Sequence, residues 1–100
     1  MTRRLVVLPE AEEDIREAMR WYERRRRGLG AEFLGCIEAS FIRAAEAPQA
    51  CAAWPEDPRY RKVVVSRFPY VVFIDVQSEA VEVVAVAHAS REPGFWLARR

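Results

Sequence analysis

A two-layer α+β fold in the order β-α-α-β-β-β is what these 100 residues predict. A β-branched run, Leu5-Val6-Val7-Leu8, stops at Pro9. Two stretches with apolar residues three and four apart follow, joined by a Gly-containing break, and three short apolar runs then close the chain. Successive strands with short connections pair antiparallel. The expected sheet is therefore small, four-stranded and mostly antiparallel, with an αα-hairpin packed on one face.

Leu5 to Leu8 is too brief for a helix and rich in branched side chains, so it reads as a buried strand. Pro9 suits the first helical turn, where a missing N–H costs nothing. Glu10, Glu12, Glu13 and Asp14 favour the positive end of the helix dipole, and Arg24 to Arg27 the negative end. Between them Ala11, Ile15, Ala18 and Tyr22 form one apolar stripe. After Gly28 and Gly30 a second stripe, Phe33, Ile37, Phe41 and Ala44 or Ala45, marks the second helix, which Pro48 ends. Gln49 to Pro58 reads as a loop because Pro48, Pro55 and Pro58 punctuate it. Tyr60 to Val65, roughly Phe68 to Val76, and Ala80 to His88 are the remaining strands, with Gln77-Ser78-Glu79 as a turn.

A chain of this length is one domain, residues 1–100, that buries roughly two thirds of the surface its unfolded form exposes. Sixteen basic residues against fifteen acidic ones give no long-range attraction to nucleic acid or membrane. Any polyanion site has to be local, and from Arg59 onward basic residues outnumber acidic ones by seven to four. Cys36 and Cys51 lack the close pairing of a redox or zinc motif, so free thiols in a reducing cytosol are expected, with no metal and no cofactor. The apolar runs are far too short to span a bilayer, and the start leads straight into folded pattern. A soluble, cytoplasmic protein is the expectation.

Side chains able to act on a partner concentrate at the ends of the last strands. Arg67 offers a guanidinium fork for phosphate or carboxylate, or is a solvated hairpin residue. Arg61 and Lys62 point to opposite faces of their strand, and parity puts Arg61 with Arg67. His88, the sole histidine, has the chemistry of a proton shuttle with an ordinary pKa of about 6.5, or is bonded to backbone at a strand end. Phe95 and Trp96 either stack on a partner or fold back on the core, and Trp21 and Trp54 are packing or partner-contact residues.

The segments Ala11-x-x-Asp14-Ile15 with Trp21-Tyr22, Gly30-x-x-Phe33, Arg67-Phe68-Pro69-Tyr70 and Ala85-Val86-Ala87-His88-x-x-Arg91-x-Pro93-x-x-Trp96 together resemble the RelE/ParE toxin superfamily of type II toxin-antitoxin systems. The pattern spans nearly the whole chain. The resemblance implies a small bacterial cytosolic toxin held inactive by a cognate antitoxin, whose disordered C-terminal segment folds against it. Trp21, Phe41, Phe95 and Trp96 are the expected antitoxin contacts.

Two function classes follow from the resemblance. RNA-cleaving relatives act on the ribosome or on free mRNA, and here Arg61, Arg67, His88 and Arg91 would supply that chemistry. Those relatives place a phosphate-contacting Arg at the position of Arg67 and usually a Tyr near the C-terminus; Glu92-Pro93-Gly94-Phe95-Trp96 has no Tyr. In the ParE branch toxicity comes from binding DNA gyrase, which needs no catalytic residue, and the Phe-Pro-Tyr and Pro-x-x-Trp elements resemble that branch more closely. The favoured expectation is a gyrase poison with Arg61, Arg67, Arg91 and Trp96 as toxicity or target-binding residues. A third possibility is an inactive relative that only pairs with an antitoxin.

Overall fold

The computed structural model describes residues 2–92 and 94–99; Met1, Pro93 of the tail motif, and Arg100 of the basic tail lie outside the described residues. The elements are β1 (Arg4–Val7), α1 (Pro9–Arg25), α2 (Leu29–Glu46), a 3-10 turn (Pro48–Ala50), β2 (Ala52–Ala53), β3 (Tyr60–Val64), β4 (Tyr70–Val76), β5 (Ala80–His88) and a terminal 3-10 helix (Phe95–Arg99). Five strands make one mixed sheet in the order β1-β5-β4-β3-β2. The chain is α+β with the helical hairpin where the periodicity put it, but the four-stranded expectation is corrected to five.

The additional strand, β2, lies inside the segment read as a loop. Alanine carries no strand preference of its own, so Ala52 and Ala53 gave no signal. What makes them a strand is tertiary: they pair with Lys62 and Arg61 on the edge of β3, the Trp54 amide donates to the Tyr60 carbonyl at 2.9 Å, and Arg61 Nη1 donates to the Cys51 carbonyl at 2.7 Å.

Proline at the first position starts α1, with Glu10 and Glu12 in its first turn and Arg24 and Arg25 in its last. Its buried stripe, Ala11, Ile15 and Ala18, meets the α2 stripe of Phe33, Ile37 and Ala44 over the sheet residues Val63, Val72, Ile74, Val81, Val83 and Val86. The two helices approach so closely at Gly30 that a Cβ there would lie 2.9 Å from the Met19 carbonyl oxygen. Glu23 closes the hairpin, accepting from the Gly28 amide at 2.9 Å and the Gly30 amide at 3.0 Å.

Those two amides hold the Glu23 carboxyl below its ordinary value of 4.5. A carboxylate favoured in the folded state contributes stability that is present above that ordinary value and is lost as pH falls through the lower folded value. Acid unfolding followed by circular dichroism should therefore begin below pH 4.5, the ordinary value, and Glu23→Gln should flatten that part of the curve. An unchanged acid limb would remove Glu23 from the explanation.

The opposite face of the sheet is covered differently. Trp54, Tyr60, Phe73, Val84, Ala85, Ala87 and Trp96 form a second cluster, with Leu8, Val71 and Phe95 at its margin. A bulge makes this possible. Phe73 stands opposite Ala85 and Ile74 opposite Val83, so Val84 is an extra residue in β5, and the alternation shifts by one so that Val84 and Ala85 both reach the second cluster.

Candidate functional site

Three elements converge where β5 ends: α1, the β3–β4 turn, and the segment running from His88 into the tail. Between α1 and the sheet lies an open groove of about 550 Å3 whose walls include Asp14, Ala18, Trp21, Tyr22, Tyr70, His88 and Arg91. Alternation along β4 and β5 delivers Tyr70 opposite His88, their rings 5.5 Å apart and edge-on. Burial pushes the Tyr70 phenol up, so it faces the groove as a neutral hydroxyl. Trp21 is 44% exposed, with the Arg25 guanidinium 4.2 Å above its ring.

His88 is exposed. Its Nδ1 is 2.7 Å from Ser90 Oγ and accepts from the Ser90 amide at 3.1 Å, while its carbonyl accepts from the Arg91 amide at 2.9 Å. These local bonds turn the chain sharply at the strand end. Arg91 then lies over the Phe95 ring at 3.9 Å, and Arg99 approaches the same ring at 5.1 Å.

Trp96, named as a partner contact with folding back on the core as its alternative, is completely buried. Its ring centroid is 4.5 Å from Tyr60, 5.3 Å from Trp54 and 5.4 Å from Phe73. The reason is the bare second face of the sheet, which would leave those aromatics in water without the tail. Gly94 makes the turn into it, with φ +82°, a conformation that L side chains rarely adopt, and a Cβ there would crowd the Trp54 ring at 3.1 Å. Phe41 is half-buried on α2 against the first cluster, and Phe95 is half-buried and held by two guanidinium groups. Of the four expected antitoxin contacts, Trp21 is the exposed one.

The cations do not gather as the parity argument expected. Arg67 adopts φ 70° in the β3–β4 turn and pairs with Glu32 of α2 at 2.8 Å. That bond is the main reason the Glu32 carboxyl is held below its ordinary range. Arg61 is committed to the carbonyls of Cys51 and Gln49. It is Lys62, on the opposite face from Arg61, that lines a small cleft of about 120 Å3 on the second face with His88 and Arg91. Arg61 shares its parity with Val63 and Val65, which pack under the helices. Tyr60 and Lys62 of β3 face the other side, toward the second cluster, and His88, at the strand end, borders both the groove beside α1 and the cleft on the second face.

Sequence reasoning missed Asp14, which it read as a helix-dipole residue. Asp14 takes two hydrogen bonds from Arg99, at 2.8 and 3.0 Å, and a third from the Val86 amide at 3.0 Å. The spacing held the signal: Asp14 precedes Ala18 by four residues, on the sheet-facing side of α1. The tail residue Arg99 in turn has its guanidinium held more firmly charged by that carboxylate.

The family model described as the ParE toxin of the type II toxin-antitoxin system parDE matches residues 5–93. Among solved structures, the chromosomal ParDE toxin-antitoxin system of P. aeruginosa aligns with a TM-score of 0.76 at 15% identity, covering 87% of this chain and 96% of that one. At that identity the likeness concerns the fold. No curated protein sequence matches. The family match extends from β1 through the turn after β5, and the chain belongs to the ParE toxin family of type II toxin-antitoxin systems.

Proposed function

We propose that this toxin acts by binding DNA gyrase and trapping its cleaved complex, in the cytoplasm, and that a cognate antitoxin neutralises it. One observation supports binding over RNA cleavage above the rest: two of the four groups named for phosphodiester cleavage, Arg61 and Arg67, are engaged elsewhere and stand apart from His88 and Arg91. Arg67 is paired with Glu32 and Arg61 with loop carbonyls, while Phe95 brings no hydroxyl to the sheet end. Cleavage of RNA requires a base, an acid and charge stabilisation within reach of one phosphate. A binding poison needs only a presented surface, and Trp21, His88 and Arg91 provide one.

Induction in growing cells tests this. The chain alone should arrest growth with signs of DNA damage and without discrete new mRNA ends, and co-expression of the neighbouring reading frame should restore growth. Arg91→Ala should weaken the arrest while the fold survives, whereas the paired change of Arg25 and Arg26 to Ala should not. New mRNA ends abolished by His88→Ala would favour the ribonuclease reading instead.

A further inference from the structure

Four of the basic residues between Arg59 and Arg99 are engaged within the fold: Arg59 with Asp75, Arg61 with the Cys51 carbonyl, Arg67 with Glu32 and Arg99 with Asp14. The two others, Lys62 and Arg91, have no carboxylate or carbonyl partner among the described residues. Both line the cleft of about 120 Å3 on the second face of the sheet. They reach it from different elements, Lys62 from β3 and Arg91 from the turn after β5. Like charges brought to one cleft disfavour each other, and an anion between them reverses the sign of that interaction.

His88 is the third polar group of the cleft. The Ser90 amide, which can only donate, bonds to its Nδ1 at 3.1 Å. In the neutral ring Nδ1 therefore carries the lone pair and Nε2 the proton. A ring so fixed offers an oxyanion a donor, and it has no lone pair at Nε2 with which to take a proton from a 2′-hydroxyl.

Arg91 is positioned in advance. Its amide donates to the His88 carbonyl at 2.9 Å, and its guanidinium lies 3.9 Å from the Phe95 ring, a contact that leaves the N–H groups for another acceptor. Trp54 and Phe73 wall the cleft and are both buried, so water screens a charge pair there less than at an open surface. Glu92 is the one carboxylate on its rim among the described residues. One negative group against Lys62 and Arg91 leaves the cleft net positive.

We infer that this cleft is a subsite for a phosphodiester group of DNA, held by Lys62, Arg91 and the Nε2–H of His88, and that the toxin touches the DNA of the gyrase complex directly. The inference rests on the gyrase reading above and adds a DNA contact to it. A chain of formal net charge +1 has no general attraction for polyanions. One or two phosphate contacts then give weak binding to free DNA and become effective where gyrase holds the DNA alongside.

The test uses the full chain, a short DNA duplex and purified gyrase. Amide resonances of Lys62, His88 and Arg91 should shift as the duplex is added at low salt. Lys62→Gln and Arg91→Gln should each weaken that binding at least about threefold and lower its salt slope by about one, and each should need at least about fivefold more toxin to accumulate the same cleaved DNA. Changing Arg24 and Arg27 together to Gln should alter neither readout. His88→Gln, which keeps a donor near the Nε2 position, should bind closer to wild type than His88→Phe. Unchanged duplex binding and full potency on gyrase in both Lys62→Gln and Arg91→Gln would overturn the cleft while leaving the gyrase reading intact. Shifts at the cleft with gyrase unaffected by the wild-type chain would keep the phosphodiester site and overturn the gyrase reading. A single-stranded RNA that shifts the same amides at about tenfold lower concentration than the duplex would overturn the assignment to DNA.

Discussion

Replacing Trp96 by alanine should cost about 3–5 kcal/mol, as truncating a fully buried tryptophan does. For a chain of this size that is a fall in melting temperature of more than about 12 °C, and a large share of the roughly 5–15 kcal/mol that keeps a domain folded. The cost comes from the second cluster: Trp54, Tyr60 and Phe73 each touch the indole ring, and none can collapse far into the space because they sit on the sheet. Trp96→Phe separates ring packing from polarity. The indole Nε1 is buried with no acceptor among the described residues, so phenylalanine keeps part of the ring contact and removes an unsatisfied donor while leaving a smaller cavity than alanine does, and should cost clearly less than Trp96→Ala. Thermal melts of both variants check the pair. Equal, small losses would show that the tail does not stabilise the fold.

Asp14→Ala should be the second large effect, about 2–4 kcal/mol. It strands the Val86 amide at a partly buried edge and leaves Arg99 without its carboxylate, and both losses are of the kind that cost more than the bond is worth when intact. Arg99→Ala should cost less, because the Asp14 to Val86 bond survives it. The two variants also differ in where they act. Limited proteolysis should cut near the tail in both, whereas faster exchange of the Val86 amide should be confined to Asp14→Ala. Matching exchange at Val86 in both variants would mean that the tail, not the carboxylate, holds that edge.

The elements that periodicity specifies strongly were legible. The α1 and α2 stripes and the long β-branched run from Ala80 to His88 each had a pattern that local sequence suffices to impose, and β5 spans Ala80–His88 as read. Edge strand β2 was not, because two alanines become a strand only through what β3 and Arg61 offer them. The parity argument at Arg61 and Lys62 identified which residues share a face. Which cation neighbours His88 was not legible, because His88 at the strand end borders both the α1 groove and the second-face cleft that Lys62 lines. Trp96 was ambiguous for the same reason: an aromatic after a strand packs inward or outward according to whether the far face is otherwise bare. The bulge at Val84 is likewise a property of pairing with β4, not of β5 alone.

Supercoiling by purified DNA gyrase, with the purified toxin added at increasing concentration, is the direct test of the proposed mode of action. Inhibition with accumulation of cleaved DNA, reversed by the neighbouring frame's protein and weakened by Arg91→Ala, is the expected result. Unaffected supercoiling at concentrations of a toxin that still arrests growth in cells would contradict it.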